Sequence, residues 1–157
     1  ALHLRRGDLH RDDMRATSDS YYLDLLDRVL KHLPTADVHV FSSVQSYNAE
    51  RETGVQHWSK ADFDVYRKRG ITVHLDDDDL MYTWAHLARA NVLITSKSSF
   101  SYIAAVLNPN CVIYPGSIDR PLTGWVDGTD AERPAYDAEI GACARPACQL
   151  KICQTSR

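Results

Sequence analysis

The sequence predicts an α/β domain, a doubly wound parallel sheet with helices on both faces. Three observations predict it. Strand-like and helix-like segments alternate from residue 2 to residue 114. The run VLITSKSSFSYIAA at 92–105 reads as a buried strand, a hydroxyl-rich turn and a helix start. The opening ALHLRRGD sets an apolar strand stub directly before two arginines, a glycine and an aspartate. Such alternation gives parallel strands joined by right-handed crossovers, and these folds bind ligands at the carboxyl ends of their strands.

Residues 2–4 form the first strand, and the polar stretch 8–18 reads as a loop. Tyr22, Leu25, Leu26, Val29, Leu30 and Leu33 fall at helical spacing, which predicts a helix over 20–32, with Pro34 ending the run. Residues 38–41 are the second strand, and 44–58 are polar with no clear pattern. Ser59 and Asp62 have capping-box spacing and start a helix carrying Phe63 and Tyr66, closed by Gly70. A third strand at 71–75 runs into four aspartates, 76–79, and a helix with Leu80, Trp84, Leu87 and Ala88 on one face. Strand 92–95, helix 99–107 and strand 111–114 complete the alternation. Beyond Pro115 the pattern breaks at Gly116, Pro121, Gly124, Gly128 and Pro134, and only Trp125 and Val126 look buried. The division is therefore a lobe over 1–134 and a tail over 135–157 with little apolar periodicity, expected to be poorly ordered.

A chain of 157 residues has room for one domain. Its net charge of -3 argues against a general nucleic-acid surface. No apolar run approaches the roughly 20 residues of a membrane-spanning helix, and no signal peptide is visible.

Two segments carry the chemistry. Adjacent guanidiniums repel, so Arg5 and Arg6 call for an anion, and the Arg fork suits phosphate. Gly7 removes bulk where the chain turns or a ligand comes close, and Asp8 can hold one arginine. The plainer alternative is a strand end with a solvated salt bridge. At the second segment Ser98 and Ser99 sit near a helix start, where free N–H groups and the helix dipole favour an anion. Ordinary serine capping is the alternative. Two anion sites in one small domain suggest a ligand with more than one phosphate.

The chain resembles the GDP-fucose-dependent fucosyltransferases of the α1,2-, α1,6- and protein O-type. His3, Arg5, Arg6, Gly7 and Asp8 match their H-x-R-R-G-D motif. Ser98, Ser99, Phe100, Ser101 and Tyr102, followed by Ala104, Ala105, Leu107 and Asn108, look like their S-T-F-S-W-x-A-A-x-L-N. Residues 111–115 and 40–42 fit the neighbouring strands of that family. The departures are Ser99 for Thr, Tyr102 for Trp, and Ser43 and Val44 where many relatives carry two acidic residues.

The resemblance implies a Rossmann-like lobe, the nucleotide-sugar-binding half of a GT-B glycosyltransferase, whose N-terminal acceptor lobe this chain lacks. It implies transfer of fucose from GDP-fucose to a glycan or protein hydroxyl with inversion, without a metal or other cofactor. Nucleotide contacts are expected from His3, Arg5, Arg6, Asp79, Ser98, Ser99, Phe100 and Ser101. Arg6 takes the main catalytic role, stabilising charge on the β-phosphate, and Arg5 mainly binds. Asp8 is a candidate base whose other task is orienting an arginine; His10, Asp12 and Asp13 are weaker candidates.

Three readings of the four aspartates stay open: an N-cap with acidic first-turn partners, a nucleoside contact from Asp79 or next Asp78, and a metal site. Cys111 reads as a buried small hydrophobe. Cys143, Cys148 and Cys153 are spaced by five, which is not a zinc spacing, and two of them can pair in an oxidising compartment. That suits a Golgi or other secretory lumen in a eukaryote; free thiols suit a bacterial cytoplasm. The competing functions are a non-catalytic nucleotide-binding lobe and a glycosyltransferase using another nucleotide-sugar. A P-loop kinase is excluded, since no G-x-x-x-x-G-K-[ST] occurs.

Overall fold

Six parallel strands form one sheet in the computed structural model of the chain, which describes residues 1–45, 57–77, 79–116, 121–129 and 133–145. They are β1 (Leu2–His3), β2 (His39–Ser42), β3 (Thr72–Leu75), β4 (Val92–Ile94), β5 (Cys111–Tyr114) and β6 (Val126–Asp127). Their spatial order is β3-β2-β1-β4-β5-β6. This is the Rossmann-like order of doubly wound sheets, which reverses direction between β1 and β4. Five helices accompany them among the described residues: α1 (Asp19–His32), α2 (Asp64–Arg67), α3 (Leu80–Arg89), α4 (Ser99–Val106) and α5 (Tyr136–Ala144).

Strand alternation divides the core in two. Leu2, Leu4, Val40, Ile94 and Ile113 join Tyr22, Leu25, Val29, Tyr66, Tyr136 and Ile140 in one cluster, on the side of α1, α2 and α5. Phe41, Leu93 and Val112 face the other way, onto Leu87 of α3 and Ala104 and Ala105 of α4. Both layers are therefore covered, as an all-parallel sheet requires. α1 keeps its expected span: Ser18 accepts the Tyr21 N–H at its start, and the chain leaves the helix before Pro34.

Several elements differ from expectation. The helix expected after Ser59 is a 3₁₀ turn, Lys60–Phe63, followed by the single turn of α2. The capping box is present, with Asp62 accepting the Ser59 N–H. The stretch 135–145, expected to lack order, carries α5, with Tyr136, Ile140, Gly141 and Ala144 buried. Its periodicity is faint because much of its contact face is small. A Cβ on Gly141 would lie 2.6 Å from the His32 ring, so the two helices approach at a glycine rather than through large apolar side chains. β6 is a two-residue strand beside β5 that carries no sequence pattern of its own.

Cys111 is buried, but it is not a free thiol. It is bonded to Cys143 of α5, joining the start of β5 to that helix, with Cα atoms 5.1 Å apart. Pairing within the last three cysteines is thus replaced, for Cys143, by a pairing across the core. Cys148, Cys153 and Asp78 lie outside the described residues. Among the described residues no helix is long and apolar enough to cross a membrane.

Candidate functional site at the strand reversal

The reversal point lies between the carboxyl ends of β1 and β4, and the two motif segments leave the sheet there. His3 reaches across to β4: its Nδ1 and the Ser96 hydroxyl are 2.7 Å apart. Arg5 does the same, donating from Nη1 to the Lys97 carbonyl at 3.0 Å. Segments 92 and 93 residues apart in sequence are therefore joined by side-chain hydrogen bonds at the mouth of the crevice.

Just past the end of β1, the two arginines turn to opposite faces of the sheet. His3 and Arg5 lie on the side of α4, where the His3 ring packs on Phe100 with centroids 5.3 Å apart. Leu2, Leu4 and Arg6 lie on the side of α1. Arg6 is 2% exposed; it donates to the Thr17 carbonyl and to Asp19 Oδ1, each at 2.8 Å. Its guanidinium stacks over Trp58 at 4.1 Å, and Asp19 Oδ1 also accepts from the Tyr66 hydroxyl at 2.7 Å. The guanidiniums do not share one anion; each has an aspartate of its own. Arg5 is gripped by Asp8 through Nε and Nη2, the latter at 2.6 Å. That grip holds the Asp8 carboxyl below its usual range, which suits an arginine clamp better than a general base.

Gly7 serves a close approach. A Cβ there would lie 2.7 Å from the Gln45 carbonyl oxygen and the Ser43 hydroxyl. It packs on the loop after β2, not on open ligand space. That loop is held by Asp76, whose Oδ1 accepts from Ser43 Oγ at 2.6 Å and from the Val44 and Gln45 N–H groups. Asp76 sits at φ 58, a left-handed conformation that Asp tolerates better than most residues. Of the aspartate run, Asp79 caps α3, accepting the Tyr82 N–H at 2.9 Å. It follows β3, two strands from β1 in the sheet, and its carboxylate is engaged in the cap.

At α4, Ser98 accepts the Phe100 N–H at 3.2 Å and acts as N-cap. Ser101 is fully buried; its hydroxyl accepts the Ser96 N–H and knits the turn together. Ser99, the first residue of the helix, is exposed. Lys97 is a further cation at the crevice that the motifs do not single out. Its ammonium donates to the Met14 carbonyl of the β1–α1 loop at 3.3 Å. The signal was a lone lysine within the hydroxyl-rich turn 95–99.

His3 is neutral at physiological pH. Burial pushes its pKa down to about 4, and the nearby Arg5 cation adds to the shift. The unfolded imidazole takes up a proton near pH 6.5, whereas the folded one resists until about pH 4. The unfolded state thus binds more protons in that window, and stability falls as pH drops through it. The expected His3 contribution to the loss is about 3 kcal/mol. Urea unfolding at several pH values checks it: the stability difference between the wild type and His3→Gln should shrink by that amount from pH 7 to pH 4. A pH-independent difference would mean that His3 does not titrate as a buried neutral group.

A cavity of about 1250 Å³ opens at the other end of the sheet, by the amino ends of its central strands, lined by Leu26, Leu33, His39, His86 and Cys143 among others. None of the motif residues lines it. Among the described residues no group of three or more His, Cys, Asp or Glu side chains is arranged to hold a metal ion. No family model, no curated protein and no solved structure matches the chain.

Proposed function

We propose that this chain is the donor-binding lobe of a GT-B glycosyltransferase that transfers fucose from GDP-fucose to a hydroxyl of a glycan or protein. One observation carries the reading. The two segments that resemble fucosyltransferase motifs meet at the strand reversal, linked through His3 to Ser96 and Arg5 to Lys97. A doubly wound fold binds its ligand at that point.

In this reading the nucleotide diphosphate lies against Arg5 and the first turn of α4. Breaking the bond from fucose C1 to the β-phosphate oxygen leaves negative charge on the phosphate, and fixed donors aimed there stabilise it. The direct role passes from Arg6 to Arg5, because Arg6 is buried against Asp19 and Trp58. Asp8 holds the Arg5 fork in orientation. Neutral His3 lines the crevice without adding charge. The acceptor hydroxyl attacks C1 from the opposite face, with inversion. The lobe that binds the acceptor, and a base from it, belong to the partner half implied by the resemblance. The Cys111–Cys143 disulfide favours an oxidising secretory compartment.

Calorimetric titration in EDTA with GDP, GDP-fucose, GDP-mannose and UDP-galactose tests the reading. The expected result is metal-free binding of GDP and GDP-fucose, weakened at least about tenfold in Arg5→Ala, since a hydrogen bond to a charged group contributes about 1.5–3 kcal/mol. Arg5→Ala should remain folded because its partner Asp8 is half exposed. A folded chain that binds no guanine nucleotide would overturn the reading.

A further inference from the structure

The charges at the crevice are largely cancelled from within. Arg5 is neutralised by Asp8, and Arg6 by Asp19. His3, buried against the Ser96 hydroxyl, is held neutral by that burial. Ser98 and Ser101 spend their hydroxyls on the turn itself. Lys97 is different. Among the described residues no carboxylate pairs with its ammonium, which rests on the Met14 carbonyl. That contact spans the β1–α1 and β4–α4 loops, the two walls of the crevice. The backbone of the same residue is fixed, because its carbonyl accepts from Arg5. Met14 is 91% exposed, so the ammonium can leave that carbonyl without disturbing the core.

We propose that Lys97 supplies the uncompensated positive charge of the crevice, exchanging the Met14 carbonyl for a phosphate oxygen when a nucleoside diphosphate binds. The inference rests on the donor-lobe reading and deepens it: the paired arginines give shape and orientation, and the lysine gives net charge. A carbonyl is a neutral acceptor, and a diphosphate oxygen is a stronger one for an ammonium. The crevice as it stands is poised for an anion that carries its own charge.

The test is titration of GDP and of inorganic pyrophosphate into the 157-residue chain at low and high salt. The variants are Lys97→Gln and Lys97→Arg, with Lys31→Gln, an exposed lysine at the far end of α1, as control. Lys97→Gln should weaken both ligands at least about tenfold and flatten the salt dependence, with an unchanged melting temperature. Lys97→Arg and Lys31→Gln should keep both properties. Wild-type affinity and salt dependence in Lys97→Gln would overturn the role of the lysine and leave the donor-lobe reading standing. Binding of neither GDP nor pyrophosphate by the folded wild type would overturn the two together.

Discussion

Arg6→Ala is expected to destabilise the fold by about 3 kcal/mol, the lower end of the range for breaking a buried ion pair from one side, because Asp19 is 32% exposed. The guanidinium is 2% exposed and joins four groups: the Thr17 carbonyl, Asp19, Trp58 and, through Asp19, the Tyr66 hydroxyl. Its loss leaves Asp19 without its cation and opens a void beneath the Trp58 ring. The helix N-terminus at Asp19 and the loop before it lose their anchor to β1. Arg6→Lys keeps the charge but not the planar fork that meets carbonyl, carboxylate and ring together, so it should recover only part of the loss. Arg5→Ala breaks a pair whose aspartate is half exposed, so its effect on stability should stay within about 1 kcal/mol. Urea denaturation of the three variants measures the contrast. If Arg6→Ala unfolds like the wild type yet loses nucleotide, the buried ion pair is not structural and Arg6 belongs among the ligand contacts. The two arginines thus make different experiments. Loss of binding in an Arg6 variant means little until folding is verified, whereas Arg5 reports on the crevice alone.

Removing the Cys111–Cys143 bond is expected to cost a similar amount. The two cysteines are separated by 32 residues. Closing a loop of that length in the unfolded chain corresponds to about 4 kcal/mol in the chain-entropy description. The bond also ties α5 to the sheet, beside the buried Tyr136 and Ile140 of the helix. Gly141 lies against His32, and Tyr136 is flanked by the Arg28 and Arg133 guanidiniums. Thermal unfolding with and without a reductant, beside the Cys111→Ala/Cys143→Ala double variant, measures the effect. Both routes should lower the melting temperature by roughly 10 °C. Peptide mapping under non-reducing conditions should recover the two cysteines in one linked fragment. Equal melting temperatures with and without reductant would mean that the bond adds nothing, and a free Cys111 thiol would remove it.

The alternating elements were legible because each rests on a local rule. The helix over Asp19–His32 shows apolar residues at helical spacing with a serine before it and a proline after it. The strand Cys111–Tyr114 is buried at every position and reads as a short apolar run. The opposite directions of Arg5 and Arg6 were not legible, because both lie past the end of β1 and their partners Lys97 and Asp19 come from different loops. α5 and β6 were not legible. A helix whose contact face includes Gly141 and Ala144 has little hydrophobic contrast, and a two-residue strand has no period. Within the aspartate run, spacing alone could not separate a loop clamp from a helix cap. Asp76 and Asp79 take those roles because one faces the β2 loop and the other the first turn of α3.

By itself the sequence determined the α/β class, most element positions, and the two segments on which the proposed chemistry rests. Hydrophobic periodicity, capping residues and turn residues act over a few positions, so they can be read along the chain. Only the tertiary structure decided who meets whom: His3 with Ser96, Arg5 with Lys97, Arg6 with Asp19, Cys111 with Cys143. The first two pairings follow from strand order, because β1 lies beside β4 and brings distant residues together; the other two follow from where α1 and α5 pack on the sheet. Strand order is set by how helices cover both faces of the whole sheet, and no short stretch of sequence carries that information.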